Sequence, residues 1–432
     1  MNVIFINRFY SPDQSATSQL LTDLAALLAE AGYDVSVITS RHGHDGSRLS
    51  RPADEMIDGV RVRRVWSTSL GHSLFARFFD YSSFYVSAAS AILGLARAGT
   101  IIVAKTDPPL LSIPAALVAK MRRARLVNWL QDIFPEVATS LVPSRLLRAC
   151  LWPLRRLRNL SLRGAAMNVV LGEAMSVHLQ GEGIAPGRIQ IIHNWAPFDT
   201  VHPIERADNQ LQKDWNLGSQ FVVGYSGNMG RAHEFSTLLE AAHLLRNEPD
   251  ISFVLIGGGH QKGTLRDIVR ARKLTNISFR PYQPCAQLSL SLSVPDVHLV
   301  SLLPCLEGLI VPSKFYGIAA AARPTIFIGA ANGELAQILD NGNCGAVVEV
   351  GDGAGLAREI RRLQKDPALC RMWGRNAREL TLTRFNRHVA LAAWDEILRH
   401  AATDSQAALL RDGPRPHAAS KAAASIRTHG EM

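Results

Sequence analysis

Short runs of β-branched and other apolar residues alternate with stretches of helical periodicity along the chain. This alternation is typical of βαβ units, in which helices cover a sheet of parallel strands. Leucines recur on one face of a helix predicted over 18–31, and Gly32 is a suitable residue to end it. The strands predicted in the first half are 3–6, 34–39, 60–65, 100–105, 125–130, 168–171 and 188–193.

The same pattern begins again after an irregular stretch from Trp195 to Gln220, which we interpret as a linker. Two α/β domains of similar size are therefore predicted, over 1–200 and 201–380. A helix over 381–400 is expected to pack back toward the first domain, and the polar, alanine-rich residues 401–432 are expected to form a disordered tail. The strands predicted in the second half are 221–225, 252–256, 277–282, 297–302, 325–328 and 346–350.

The composition excludes a mostly disordered protein, because 47% of the 432 residues are hydrophobic and can fill two cores. The five cysteines show no metal-ligand spacing, so the sequence predicts reduced thiols and no metal site. The N-terminus lacks the charged leader of a signal peptide. The longest uncharged stretch, 81–96, is shorter than the roughly 20 apolar residues that span a bilayer. These features predict a cytoplasmic protein without a transmembrane helix.

The net charge of +10 is concentrated in residues 120–163, which contain ten basic and two acidic residues. Leucines recur at helical spacing over 145–163, with Pro153 expected to interrupt the helix. Basic amphipathic segments bind anionic membrane surfaces, and we hypothesise peripheral membrane attachment through 120–163. Nucleic acid is disfavoured because the segment lacks interleaved aromatic residues on which bases stack. A domain helix that packs its leucines inward remains the alternative.

A glycine-rich turn follows the first strand of the second half and precedes a helix. Gly227 permits close backbone approach to an anion, and Asn228, Arg231 and His233 offer donors. Gly258 ends the next strand at the same sheet edge. The turn is interpreted as a phosphate site, against the alternative of an ordinary strand-to-helix turn.

A second anion site is predicted where Ser313 and Lys314 begin a helix with small residues. Backbone N–H groups, a hydroxyl and an ammonium group at one helix start are suited to a diphosphate. A purely structural lysine is the alternative interpretation.

Two segments of the first half are candidates for binding a second substrate. The polar turn with Ser15 and Thr17 precedes the first helix, whose free N–H groups suit a phosphate or a sugar. Asp132 and Glu136 follow a strand and are the only carboxylates in the basic segment. They either orient or deprotonate a hydroxyl group or pair with neighbouring arginines.

Taken together, these motifs resemble the family 4 glycosyltransferases of GT-B fold, in which two Rossmann-like domains face each other across a cleft. The branch most similar to the chain is that of colanic acid and exopolysaccharide biosynthesis. The resemblance covers about residues 1–400. It depends on the order and spacing of Tyr10-Ser11-Pro12, Gln131-Asp132-Ile133-Phe134-Pro135-Glu136, Ile192-His193-Asn194-Trp195, Tyr225-Ser226-Gly227-Asn228 and the segment from Gly308 to Gly317.

The resemblance implies a retaining transfer of a sugar from a UDP- or GDP-sugar to a lipid-linked or oligosaccharide acceptor. It implies no metal or other cofactor, and a peripheral position at the inner face of the plasma membrane. The second domain would bind the donor, with Tyr282 near the base. The first domain would bind the acceptor, and Gln131, Asp132 and Glu136 are the catalytic candidates.

The chain departs from the family at a pair of glutamates spaced eight residues apart, which are replaced by Leu309 and Gly317. Glu307 is two residues out of register, and Glu334 is the candidate substitute in donor binding. Two alternatives remain, and the missing glutamate pair supports only the second. One is a non-hydrolysing nucleotide-sugar 2-epimerase, which has the same fold but needs no membrane acceptor. The other is an inactive GT-B subunit that binds a partner glycosyltransferase.

Overall fold

The computed structural model describes residues 1–411 except 14, 44–46, 48–50, 72, 143 and 197–199. The first half of the chain forms one α/β lobe, which we call the N-lobe. Its elements are β1 (Asn2–Ile6), α1 (Ala16–Glu30), β2 (Asp34–Ser40), β3 (Asp54–Ile57), β4 (Val60–Val65), α2 (Leu74–Leu95), β5 (Ile101–Lys105), α3 (Ser112–Arg122), β6 (Arg125–Trp129), α4 (Glu136–Leu141), α5 (Arg145–Gly164), β7 (Met167–Val170), α6 (Glu173–Gly181) and β8 (Ile189–Ile191).

The second half forms the C-lobe, which again alternates strands and helices. Its elements are α7 (Gln210–Asp214), β9 (Phe221–Asn228), α8 (Ser236–Leu244), β10 (Ile251–Gly258), α9 (Lys262–Ala271), β11 (Ile277–Arg280), α10 (Leu288–Ser293), β12 (Val297–Ser301), α11 (Lys314–Ala320), β13 (Thr325–Ile328), α12 (Glu334–Asn341), β14 (Gly345–Val348), α13 (Gly353–Lys365), α14 (Pro367–Thr383) and α15 (Arg387–Arg411).

Both sheets are built around a point where the strand order reverses. The N-lobe sheet has the order β3-β4-β2-β1-β5-β6-β7-β8, and the C-lobe sheet has the order β11-β10-β9-β12-β13-β14. All neighbours pair in parallel except β3 with β4. Ligands of such sheets bind beyond the carboxyl ends of the strands, next to the reversal points. These points lie between β1 and β5 and between β9 and β12.

Every strand predicted from the sequence is present, with its ends shifted by a few residues. The short antiparallel β3 was not predicted, because DEMI alternates weakly and begins with two acidic residues. The prediction that Pro153 interrupts the basic helix is wrong, since α5 runs through it. The uncharged stretch 81–96 lies mostly in α2. Among the described residues, no helix has the length and hydropathy that a membrane span requires.

The last helix joins the C-lobe back to the N-lobe. Trp394 of α15 is fully buried and contacts the rings of Phe5 and Trp129 in an edge-to-face manner. Tyr33 of the N-lobe donates a hydrogen bond to Asp395. The helix continues to Arg411, past the residue at which a disordered tail was expected to begin, and residues 412–432 lie outside the described residues.

The lobes also touch directly through the segments that follow β6 and precede α11. The N–H of Ile133 donates to the carbonyl of Leu309 at 3.0 Å, and Asp132 forms an antiparallel bridge with Ile310. An apolar cluster containing Ile133 and Met175 of the N-lobe and Leu309 of the C-lobe lies behind this contact. The N-lobe and C-lobe therefore face each other at close range.

Candidate active site between the two lobes

A cavity of about 440 Å³ lies between the carboxyl edges of the two sheets. The N-lobe side is formed by the first turns of α1 and by the chain that leaves β8. The C-lobe side is formed by the ends of β9 and β10 and by the start of α11. Lining residues include Ala16, Gln19, Asp23, Asn194, Trp195, Ser226, Gly227, Ile256, Tyr282, Leu292, Ser313, Lys314, Tyr316, Gly317, Ile318 and Arg387.

Lys314 places a cation at the wall of this cavity. Its Nζ lies 2.7 Å from His233 Nε2 and 5.1 Å from the centre of the Tyr225 ring. Within the described part of the chain, Lys314 forms no ion pair with a carboxylate. Burial disfavours the ammonium form and lowers the pKa of Lys314 to about 7. A bound anion would therefore act as the counter-ion of Lys314 and favour its ammonium form.

His233 holds Lys314 and does not itself point a donor at the cavity. Its Nδ1 lies 2.6 Å from the carbonyl of Ser301, so Nδ1 carries the proton and Nε2 accepts from Lys314. Burial first and the neighbouring ammonium second lower the pKa of His233 to about 4. The sequence placed His233 among the phosphate donors, whereas the geometry makes it the acceptor that orients Lys314.

The glycines of the predicted phosphate turn are required by close packing. Gly227 has φ +122, and a Cβ there would lie 2.8 Å from Cε of Lys314. Gly257 has φ +129, and its Cβ would lie 2.2 Å from the carbonyl oxygen of Gly227. Side chains at these positions would displace the lysine or the neighbouring strand end. Asn228 ends β9 beside this turn.

Tyr282 and the C-lobe interior give the cavity an apolar side. The Tyr282 ring is 59% exposed, and a Cβ at Gly258 would lie 3.1 Å from it. Ile256 and Ile318 line the same cavity. An accessible aromatic ring beside aliphatic side chains suits a flat nucleobase, and the role of Tyr282 near the base stays a prediction.

Arg231 lies on the far side of the Lys314–His233 pair. It lines a neighbouring cavity of about 630 Å³ together with His233 and His260. Ser313, by contrast, lines the first cavity directly beside Lys314. Of the predicted diphosphate ligands, the structure thus brings Gly227, Ser313 and Lys314 together and places Arg231 outside this group.

Glu307 and Glu334, the two glutamates considered in place of the family's glutamate pair, lie between the lobes. Glu307 accepts the N–H of Glu334 at 2.8 Å, and Glu334 accepts the N–H of Ala174 in the N-lobe at 3.2 Å. A Cβ at Gly172 would lie 2.2 Å from the Glu334 carboxyl carbon. Burial raises the pKa of both glutamates. Glu334 is not among the residues that line the cavity, so the geometry gives no support to its predicted donor contact.

Gln131 does not line the cavity itself but is hydrogen-bonded to Asn194, which does. Its side-chain amide forms reciprocal hydrogen bonds of 3.2 and 3.3 Å with that of Asn194, which lines the cavity. Asp132 follows directly, and burial raises the pKa of its carboxyl to about 6. Among the described atoms, Asp132 Oδ1 has no hydrogen-bond partner. Gln131 and Asp132 thus lie in the N-lobe behind Asn194, and their catalytic role stays a prediction.

Glu136 belongs to a different environment. Its carboxylate lies 2.6 Å from Arg158 and 3.1 Å from Arg155, and Glu136 and Arg158 are both buried. Glu136 also stands near His178 and Glu182, with ligand atoms within 4.8 Å of one another. Both carboxylates are already paired with arginines, so this group does not suit a metal ion. The structure favours the ion-pair interpretation of Glu136 over the catalytic one.

The polar turn before α1 contributes through neighbours of the predicted residues. Ala16 and Gln19 line the cavity, whereas Ser15 and Thr17, on either side of Ala16, are not among the lining residues. The Thr17 carbonyl accepts a hydrogen bond of 3.1 Å from Lys105. The sequence had placed Ser15 and Thr17 in the site itself.

Several site residues were not singled out from the sequence. Asp23 of α1 accepts from Trp195 Nε1 at 2.5 Å and lies 3.4 Å from Arg387 of α15. Asp107, two residues after the end of β5, is not among the residues that line the cavity. Burial and then Asp132 raise its pKa to about 7, although Arg8 opposes the shift. Its position shortly after a predicted strand was the one signal in the sequence.

Comparison with known proteins identifies two successive family models along the chain. Residues 17–195 match the glycosyl transferase 4-like domain, and residues 208–380 match the glycosyl transferases group 1 domain. The two matches correspond to the N-lobe and to the C-lobe.

Relatives at the level of sequence include two bacterial proteins. WbjE of Pseudomonas aeruginosa, named as a probable glycosyltransferase, is 28% identical over 61% of this chain and 66% of its own length. The chain thus matches slightly less than two thirds of WbjE. WcaI of Escherichia coli K12, named as a glycosyl transferase of colanic acid biosynthesis, is 26% identical over 79% of this chain and 86% of its own length.

Solved structures share the fold across nearly the whole chain. Sucrose-phosphate synthase from Thermosynechococcus elongatus has a TM-score of 0.76 at 18% identity, covering 94% of this chain and all of that one. Anabaena HepE, solved in complex with UDP, has a TM-score of 0.70 at 14% identity over 92% and 100%. WaaG, a glycosyltransferase of lipopolysaccharide biosynthesis, has 0.67 at 15% identity over 91% and 99%. The two lobes, the cavity between them and the two family matches together establish that the chain belongs to the family 4-like glycosyltransferases with the GT-B fold.

Proposed function

We propose that the protein transfers a sugar from a UDP- or GDP-sugar to a lipid-linked glycan acceptor in the assembly of a surface polysaccharide. The observation that carries this proposal is the partly buried ammonium of Lys314 at the wall of the interlobe cavity, without a carboxylate partner among the described residues. A diphosphate is the anion that a glycosyltransferase releases, and the apolar side at Tyr282 suits the attached base.

In the proposed reaction the bond from the anomeric carbon to the diphosphate oxygen breaks as the acceptor hydroxyl oxygen bonds to that carbon, and the hydroxyl proton passes to the departing diphosphate. Negative charge develops on the departing diphosphate, where Lys314 and the backbone N–H groups of the turn at Gly227 stabilise it. The proposal needs no metal, because these groups supply the positive potential. Retention of the anomeric configuration is proposed from the family. Gln131 and Asp132 would contact the sugar or the acceptor hydroxyl from the N-lobe.

The names of similar proteins support the pathway rather than the substrate. WcaI is named for colanic acid biosynthesis and WaaG for lipopolysaccharide biosynthesis. HepE was crystallised with UDP and with UDP-glucose, which supports a uridine nucleotide as the first donor to test here. The epimerase and the inactive subunit remain alternatives that differ in what they do with a bound donor.

A thermal-shift screen over UDP- and GDP-sugars tests the proposal first, because a ligand that binds only the native state raises its melting temperature. We expect stabilisation by one nucleotide class, followed by transfer of labelled sugar to a lipid-linked acceptor. Interconversion of the free nucleotide sugars without an acceptor would instead identify an epimerase. Binding without any turnover, in the presence of acceptors, would identify an inactive subunit.

Nucleotide affinity should depend on pH through Lys314. The pKa of free Lys314 is lowered to about 7, and a bound diphosphate favours the ammonium form and raises it again. Between pH of about 7 and about 9 the free site loses its proton, so the dissociation constant should rise by up to about tenfold per pH unit. Calorimetry in two buffers of different ionisation enthalpy should show proton uptake on binding at pH of about 8. A flat profile in the wild type would contradict the assignment.

Membrane attachment through residues 120–163 is proposed from the surface of α5. Arg145, Arg148 and Arg156 are exposed, as are the apolar side chains of Leu146 and Leu160. Several other positions of the helix face inward, since Arg158 and Leu162 are buried. One face of α5 thus packs inward, as expected of a domain helix. The other face is basic and partly apolar, as expected of a membrane-binding helix.

A further inference from the structure

Asp23 is the only carboxylate among the described residues that line the interlobe cavity. On the C-lobe side, Gly317 stands where the family has a glutamate, and it has no side chain to offer a ligand. The remaining polar side chains of the wall are hydroxyls, amides, an indole N–H and two cations. The cavity therefore takes its charged hydrogen-bond acceptor from the N-lobe and the ammonium of Lys314 from the C-lobe.

The periodicity of α1 directs Asp23 at the cavity. The lining residues of this helix recur at intervals of three and four positions, so they lie on one face: Ala16, Gln19, Leu20 and Asp23. Another face of the same helix packs its leucines into the N-lobe core. Asp23 lies seven residues after Ala16, which corresponds to about 10 Å along the helix axis. The carboxylate is thus part of the cavity wall and stands apart from the start of the helix.

Two neighbours fix the Asp23 carboxylate without saturating it. Its Oδ2 accepts from Nε1 of Trp195 at 2.5 Å, and its Oδ1 lies 3.4 Å from Nη1 of Arg387. Trp195 is buried and stacks on Trp129, so this donor is itself held in place. A carboxylate has about four lone-pair sites, and the Asp23 side chain is 30% exposed. It can therefore accept further hydrogen bonds from a ligand.

The surroundings of Asp23 suit neutral hydroxyl donors. Arg387 lies in the same wall and offsets the charge of Asp23, so an anionic ligand can approach it. In a nucleoside diphosphate, the ribose joins the base to the phosphates and carries two neighbouring hydroxyl groups, which can donate to one carboxylate. Hydrogen bonds to an ionised acceptor are about twice as strong as those between neutral groups. Asp23 is therefore a better acceptor for these hydroxyls than the amides and hydroxyls of the wall.

We infer that the Asp23 carboxylate accepts the ribose hydroxyls of the donor nucleotide and so selects ribonucleotide sugars over 2′-deoxyribonucleotide sugars. This role rests on the proposed function, which puts the base at Tyr282, the diphosphate at Lys314 and the ribose between them. UDP- and GDP-sugars carry ribose, whereas thymidine diphosphate sugars carry 2′-deoxyribose and lack one of the two donors. A site built to bind a hydroxyl discriminates against a ligand without it, because the acceptor then stays unpaired.

Titration calorimetry with matched nucleotide pairs tests this selectivity. The pairs are UDP with 2′-deoxy-UDP and GDP with 2′-deoxy-GDP, at a pH of about 6.5, where Lys314 is charged. In the pair that it binds, the wild type should prefer the ribonucleotide by roughly ten- to a hundredfold. Asp23→Ala should lose affinity for the ribonucleotide and bind both members of that pair within about twofold of each other.

Two further variants separate ribose recognition from support of the fold. Asp23→Asn keeps an oxygen that can accept from Trp195 Nε1, so it should fold like the wild type while most of the preference for ribose is lost. Glu30→Gln neutralises an exposed carboxylate at the end of the same helix and should keep the full preference. If Asp23 only supported Trp195, its replacement would weaken both nucleotides equally and leave the ratio of their affinities unchanged.

Two results would overturn the role of Asp23 alone. One is a wild type that binds a ribonucleotide and its 2′-deoxy analogue equally tightly, which would leave the proposed function standing. The other is an Asp23→Asn variant that discriminates between them as the wild type does. A wild type that binds neither UDP nor GDP would refute the proposed function together with the role of Asp23.

Discussion

Replacing Lys314 by alanine is expected to weaken the binding of UDP or GDP by on the order of a hundredfold while the fold is retained. Hydrogen bonds to charged groups contribute about 1.5–3 kcal/mol each, and the Lys314 ammonium lies at the cavity wall beside Ser313. Without it, His233 Nε2 loses its partner and the diphosphate loses its positive contact. Titration calorimetry at a pH of about 6.5, where Lys314 is charged, measures the change.

The matched control for this variant is Lys213→Ala, which removes the same charge from an exposed position of α7. It should bind the nucleotide like the wild type, and both variants should melt within a few degrees of it. An unchanged affinity in Lys314→Ala would show that the diphosphate lies elsewhere. A His233→Gln variant, whose side-chain carbonyl still accepts a hydrogen bond, should keep more affinity than His233→Ala.

Replacing Arg158 by alanine is expected to destabilise the N-lobe by about 3–5 kcal/mol, because it leaves the buried Glu136 carboxylate without its main counter-ion. Arg155 lies 3.1 Å from the same carboxylate but is itself half exposed and also paired with Glu182. Urea unfolding followed by fluorescence measures the loss. Adding Glu136→Gln should restore part of the stability, since the unpaired charge is then gone.

The single variant Glu136→Gln decides the role of Glu136. If Glu136 is an ion-pair residue, Glu136→Gln should keep transfer activity per folded molecule within a few-fold of the wild type. General acid–base residues contribute about 10²–10⁴-fold. A loss of that size in a folded Glu136→Gln variant, with stability little changed, would contradict the structural role and return Glu136 to the catalytic group.

The architecture could be predicted from the sequence because its determinants are local. Buried parallel strands are continuous apolar runs, as in β5 and β13, where every residue is buried, and their boundaries are marked by glycine and polar residues. Two repeats of the pattern give two sheets. The antiparallel β3, which is exposed or half-exposed throughout, carries no such signal and was missed.

The site could be predicted only in part, since its contacts join residues distant in sequence. Gly227 and Lys314 were found through the chemistry of their own turns. That His233 accepts from Lys314 depends on a contact across 81 residues, and that Glu334 bonds to Ala174 depends on one across 160. These two contacts give His233 and Glu334 roles that differ from those suggested by the residue type alone.

The central claim is that the interlobe cavity binds a nucleoside diphosphate at Lys314, and a structure of the protein with bound UDP or GDP tests it most directly. We expect the diphosphate within hydrogen-bond distance of Lys314 Nζ and beside Gly227 and Ser313, with the base on the side of Tyr282. A nucleotide bound outside this cavity, or bound within it with Lys314 still donating only to His233, would contradict the account.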